Sequence, residues 1–414
     1  MKLDYLLILL LIFSIVAYLW KAWASKDRSL IWSPMTFLSL VYIYYCVIPF
    51  FHGNLGIYGV SINGATTIMN AGALMSYLFI WIGFSKNTQK QFPKWNSLIV
   101  PENAKFYGML LFALGLACYV PFRGFHISFF NVDENEIYDR AGFTSYFIDL
   151  ISLFCAACSL IFIGRKRKLD ICFIGAIWLA LVFFIIAGFR FRIVMLIVAI
   201  VTTAYLYPIP KKLNYAILGV IAIVAYVGFG IMDSARTYGH GLNLEEVSIN
   251  TEEIGPGESD YVYVMSALSM KHYQHADKLH FEPFVTAICM PIPRTLAPWK
   301  PDGKYLKEIQ NRVLGTSDYG AAFVFFVEAF MSWGWLGVII YSIFVGWLAK
   351  VFWNNYKMNS NSIGAIVLLG LFNGFSYVLV SRGYMAQAFN TFMYFIVIPF
   401  WFIQLFRCCF QRKL

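Results

Sequence analysis

Arginines beside apolar runs are the residues of this sequence best suited to chemistry. Gly188-Phe189-Arg190-Phe191-Arg192 stands between two apolar segments, at the end of the chain's sixth apolar run. A guanidinium stays charged in a low dielectric and forks onto phosphate oxygens in a way an ammonium does not, so Arg190 and Arg192 read as a phosphate clamp. The plainer reading is interfacial snorkelling, with Phe189 and Phe191 in the aromatic belt. Further cations are expected on the same side of a membrane: Arg236, Arg294 and Lys300 within Pro293-Arg-Thr-Leu-Ala-Pro-Trp-Lys-Pro301, Arg312, and Arg382 within Ser381-Arg-Gly383. Each alone reads as a solvated loop cation. Together they suit a polyanionic ligand at the membrane surface, such as a lipid diphosphate.

Three residues are candidates for a general base. Lys271-His-Tyr-Gln-His-Ala-Asp-Lys-Leu-His280 holds three of the six histidines. Their spacing predicts one helical face carrying His272, His275 and His280, read either as a solvated basic patch or as a source of an imidazole base. Asp149 lies about a turn from the end of an apolar run, placed to pair with Arg190 or Arg192 or to serve as a base. Glu328 lies in an apolar stretch too short to span before Gly334-Trp-Leu-Gly337, which predicts an interfacial or re-entrant helix leading into the next span. No metal site is expected, because the histidines have neither an HExxH pattern nor a cysteine partner. No cofactor motif is found. Of the eight cysteines only Cys289 falls in a polar region, and Cys155/Cys158 reads as packing within an apolar helix. Four prolines between Pro291 and Pro301 preclude a regular helix and hold Trp299 as an interface anchor or a sugar-stacking platform.

The elements that position these groups follow from composition. Hydrophobic residues make up 60% of the 414 and charged residues 13%, far from the soluble balance. Apolar runs long enough to cross a hydrocarbon core as helix recur along the chain. They lie at 3–20, 31–51, 64–84, 105–122, 144–164, 170–188, 193–209, 214–232, 335–353, 361–380 and 389–406. The expected fold is an all-α polytopic integral membrane helical bundle of about eleven (ten to twelve) transmembrane helices, with one large extracytoplasmic loop. The first run reads as a retained helix and not a signal peptide. Eighteen of the 32 Lys and Arg residues fall on alternate loops, which places those loops and the C-terminus in the cytoplasm and the N-terminus outside. Residues 1–232 then hold eight spans, 233–318 form the outer loop, and 319–414 hold the interfacial helix and three spans. The 233–318 segment carries eight Lys/Arg against twelve Asp/Glu in a chain of net +10. The basicity is therefore an orientation signal, not a nucleic-acid-binding one. No internal repeat is visible, which disfavours transporters built on inverted repeats.

In its Gly188-Phe-Arg190, its PRTLAPWKP segment and its Gly320 to Gly337 stretch, the chain resembles the bacterial oligosaccharide repeat-unit polymerases, the O-antigen or Wzy-type polymerases. The likeness covers overall topology and residues 185 to 345; members often carry twelve or more spans with both termini inside. The resemblance implies metal-independent glycosyl transfer at the outer face of the cytoplasmic membrane, from an undecaprenyl-diphosphate-linked oligosaccharide to a hydroxyl of an incoming lipid-linked unit. It implies Arg190 and Arg294 as diphosphate contacts, with Arg192, Arg236, Lys300 and Arg382 in support, and leaves the base open among His272, Asp149 and Glu328. Membrane lipids, a chain-length regulator and a flippase are the partners it implies. A lipid-linked oligosaccharide flippase should carry charge deep along several helices, whereas here charge gathers at one edge. An O-antigen ligase shares the chemistry and is not separated by sequence. A membrane acyltransferase, which wants a histidine near the bilayer, and a scaffold fit less well.

Overall fold

The computed structural model describes residues 2–52, 56–57, 60–62, 64–86, 92–123, 149–164, 171–186, 190–208, 258–289, 292, 296–299, 304–315 and 322–410. These are almost wholly helical: α1 (Lys2–Ala24), α2 (Pro34–Phe51), α3 (Thr66–Ser85), α4 (Pro101–Arg123), α5 (Leu153–Gly164), α6 (Ile171–Ile186), α7 (Arg190–Leu206), α8 (Glu258–His272), α9 (Glu282–Cys289), α10 (Lys304–Leu314), α11 (Phe325–Met358), α12 (Ile363–Ser381) and α13 (Met385–Cys409). A two-residue hairpin, Gly56–Ile57 with Val60–Ser61, is the strand pairing among the described residues. Six helices, α1, α2, α3, α11, α12 and α13, are long and apolar enough to cross a membrane. The described residues form an all-α bundle whose long apolar helices suggest a membrane protein. The expected span at 214–232 lies outside the described residues.

The helices fall into two compact units. The first comprises Met1–Gln91, Pro256–Met358 and Phe375–Phe392, and the second Phe92–Gly255, Asn359–Gly374 and Met393–Leu414. In the first unit α1, α3 and α11 run in one direction and α2 in the other. Hydroxyl pairs hold α2 in place, Tyr18 to Ser33, Ser39 to Tyr77 and Tyr42 to Ser76, each at 2.7 Å. Pairing buried hydroxyls with one another avoids the cost of leaving them unsatisfied. Asp4 accepts from Thr66 and Thr67 at one end of the unit, and Lys357 meets Asp27 at 2.7 Å at the other. Where α3 crosses α11 the backbones nearly touch. A Cβ on Gly83 would lie 2.2 Å from the Ile343 carbonyl oxygen, and one on Gly346 2.0 Å from that of Ile80. Small residues at a membrane helix crossing permit this approach, and dispersion between the backbones replaces the hydrophobic driving force that lipid removes.

Two local features differ from simple spans. Trp333 and Gly334 leave helical geometry, Gly334 with φ of 62°, so α11 is a short helix at 325–332 joined through a kink to a long one at 335–358. Glycine at this point allows the positive φ without a Cβ penalty. Residues 258–272 belong to the stretch read from sequence as a hydrophilic loop, yet they form the buried helix α8. Its polar side chains find partners: the Tyr263 hydroxyl donates to Asn70 at 2.8 Å, Ser266 Oγ accepts from the Val324 amide at 2.9 Å, and Asp260 faces His52 at 2.9 Å.

In the second unit α5 is buried along its whole length. It packs on α4, where a Cβ on Gly108 would meet the Ala157 carbonyl oxygen at 2.8 Å. Cys155 and Cys158 are both buried and unbridged, a packing arrangement.

Candidate functional site

One group of charged side chains in the first unit, Glu258, Glu328 and Arg382, lies at the end where α8 and the short part of α11 begin and α12 stops. Glu328 sits on the 325–332 helix and is fully buried. One carboxylate oxygen accepts from the Tyr305 hydroxyl at 2.6 Å, and the other accepts from the Met385 amide. Burial, and then the neighbouring Glu328, push the Tyr305 hydroxyl far above its ordinary value, so it remains a donor.

This carboxylate is one of two devices that seat the turn between α12 and α13. The other is Gly383, whose amide donates to the Phe323 carbonyl at 2.9 Å. A Cβ there would lie 2.0 Å from Phe325 Cα, so only glycine fits. Arg382 stands on this seated turn. Its guanidinium reaches Glu258 at the first turn of α8 at 3.3 Å, with 27% of the side chain exposed. Its Nε is buried and has no hydrogen-bond partner. The Tyr45 and Tyr377 hydroxyls, bonded to each other at 2.7 Å, belong to its electrostatic surroundings together with Tyr384. Burial opposes the charge on Arg382, but Glu258 and these tyrosines outweigh it, holding the guanidinium protonated more firmly than usual.

The remaining sequence candidates separate. Histidines 272, 275 and 280 do not share a helical face: α8 ends at His272, a turn follows, and His280 adopts φ of 49°. Helical spacing fails here because the helix stops at the first of the three. His272, Lys271, His275 and Arg312 instead line an open cavity of about 590 Å³, and the His272 Nε2 is buried without a partner. Lysine and histidine in the last turn of α8 also complement its dipole. Asp149 and Arg192 belong to the second unit and pair at 2.5 Å, with Arg192 only 5% exposed. Arg192 is thus held in an internal ion pair and does not present itself as a surface clamp. Arg190 opens α7, but its side chain lies outside the described residues, as do Arg236, Arg294 and Lys300. Among the described residues no group of three or more His, Cys, Asp or Glu is placed to hold a metal ion.

Comparison with protein-family models, curated proteins and solved structures finds no match. The site is therefore read on its own geometry. Sequence reading missed Tyr305, Glu258, and the tyrosines 45, 377 and 384. Their only local signal was the density of tyrosine near the helix ends, which aromatic belts produce equally well.

Proposed function

We propose that the chain is a glycan polymerase of the outer face of a bacterial cytoplasmic membrane, in a bundle of about eleven spans whose 233–318 segment belongs to the outer, periplasmic or extracellular, side. It joins oligosaccharide repeat units carried on undecaprenyl diphosphate. The observation that carries this reading is Arg382: a guanidinium at a helix end, partly exposed, with one carboxylate partner and an unused buried donor. An ionisable residue at the edge of a span is costly and marks a functional site by default. Guanidinium donors beside tyrosine hydroxyls suit phosphate oxygens.

In this reading an acceptor sugar hydroxyl attacks the anomeric carbon of the donor glycan, and the bond from that carbon to the diphosphate oxygen breaks. The lipid diphosphate leaves with the electron pair, and Arg382 stabilises the charge that develops on it. The hydroxyl proton passes to a base. Glu328 has both oxygens engaged, Asp149 is paired with Arg192, and His272 stands at the opposite end of α8 from the Glu258 that holds Arg382, about 20 Å along the helix axis, so none of the three is assigned as the base. Glu328 acts as a positioning residue for the turn that carries Arg382.

The test uses full-length protein in nanodiscs with lipid-diphosphate-linked repeat units, with and without a metal chelator. The expected result is a ladder of longer glycans that the chelator leaves unchanged. Arg382→Ala should abolish it and Arg382→Lys should leave a small fraction, because an ammonium lacks the fork. Translocation of substrate across the bilayer with no new linkage would refute the polymerase reading in favour of a flippase. Transfer only to a lipid A acceptor would refute it in favour of a ligase.

A further inference from the structure

A run of apolar side chains is left uncovered on a part of the first unit that is not itself a span. On α9, Phe284, Val285 and Ile288 are exposed on one face, while Pro283, Ala287 and Cys289 are buried on the other. The run continues past the helix with Leu296 and Trp299, 76% and 69% exposed. Large apolar groups clustered in this way require a cover.

The surroundings identify that cover. Phe281, next to α9, packs edge-on against Trp333 at 5.2 Å, at the kink of α11. Immediately beyond the kink Leu336, Ile340 and Phe344 form an exposed stripe at four-residue spacing on the long helix that is apolar enough to cross a membrane. Phe281 thus ties the start of α9 to the kink from which that exposed apolar stripe runs. We propose that α9 lies in the plane of the membrane interface, with Phe284, Ile288, Leu296 and Trp299 inserted among the lipid headgroups and upper acyl chains. The occupant of this face is bilayer lipid. A short helix with one apolar face and an indole at its edge is suited to this depth. The placement does not depend on which reaction the protein performs. It would set α9 as a shelf at the membrane surface, packed against the first turns of α13.

The experiment places a photoreactive benzoylphenylalanine singly at Phe284, Trp299, Gln274 or Ile340 of the full-length protein in phospholipid nanodiscs. Irradiation is followed by intact-mass measurement. Adducts of phospholipid mass at Phe284 and Trp299 are expected within about twofold of those at the span position Ile340, and at least about fivefold above those at the exposed polar position Gln274. Two positions guard against one variant failing to fold, and each sample is accepted only if it elutes as a single species. Lipid labelling at both positions no higher than at Gln274 would overturn the proposal. So would protein–protein adducts replacing lipid adducts, since the face would then bind a second copy.

Discussion

Removing the Glu328 carboxylate should unseat the turn that carries Arg382, and the size of the effect follows from its two hydrogen bonds. Glu328→Ala leaves the Tyr305 hydroxyl and the Met385 amide without their acceptors, at about 1–3 kcal/mol each. The vacated volume adds about 1–2 kcal/mol, for a total of about 3–8 kcal/mol. Tyr305→Phe in the native background removes one of the two bonds and should cost about 1–3 kcal/mol. In the Glu328→Ala background the same change removes a hydroxyl already orphaned, so it should cost almost nothing or restore some stability. The two substitutions should thus be coupled by about 1–3 kcal/mol. The measurement is equilibrium unfolding of the detergent-solubilised protein by sodium dodecyl sulfate, followed by thiol labelling of Cys46, a buried residue of the same unit. Equal costs for Tyr305→Phe in the two backgrounds would refute the bonding scheme and the positioning role built on it.

At the crossing of α3 and α11, Gly346→Ala should lower stability by about 1–3 kcal/mol through forced separation. Gly175→Ala, whose Cβ meets nothing within 4 Å, should be neutral or slightly favourable in the same unfolding assay. Asp149→Asn should cost about 2–4 kcal/mol by leaving the buried Arg192 without its carboxylate, and adding Arg192→Met should recover part of that loss. For Asp27, burial pushes the carboxyl up but the bonds from Lys357 and Ser29 outweigh it, so its value falls below the ordinary one. A depressed carboxylate contributes stability above its unfolded value and loses it as pH falls through the folded value. Unfolding curves of Lys357→Met should therefore show a shallower acid-side decline. The effect should be only about 0.2–1 kcal/mol because both partners are about two-fifths exposed.

Helices α1, α2, α3 and α12 were legible in the sequence almost to their ends, because the length of an uncharged apolar run is itself the physical requirement for crossing a bilayer. The break at Gly334 was legible for a related reason, since glycine in Gly-Trp-Leu-Gly permits a backbone that other residues resist. Helix α8 was not. Its Ser, Asp and Tyr residues read as loop, and they become tolerable inside only through Asn70, His52 and Val324, partners from distant parts of the chain. The end of α8 at His272 was equally hidden, because Tyr-Gln-His-Ala that follows contains neither glycine nor proline.

The candidate site shows the same limit in its sharpest form. By residue type, a glutamate in an apolar stretch and an arginine in a short loop were equal candidates for chemistry. The structure separates them by saturation: Glu328 has an engaged partner on each oxygen, while Arg382 has a buried donor with none. Saturation depends on where Tyr305, Met385 and Glu258 arrive, and the chain brings them there only by seating the Gly383 turn on the start of α11. The placement of Arg382 is therefore a property of the docking of two segments, residues 323–328 and 382–385, and under the proposed function a substitution that loosens the docking should disable Arg382 without touching it.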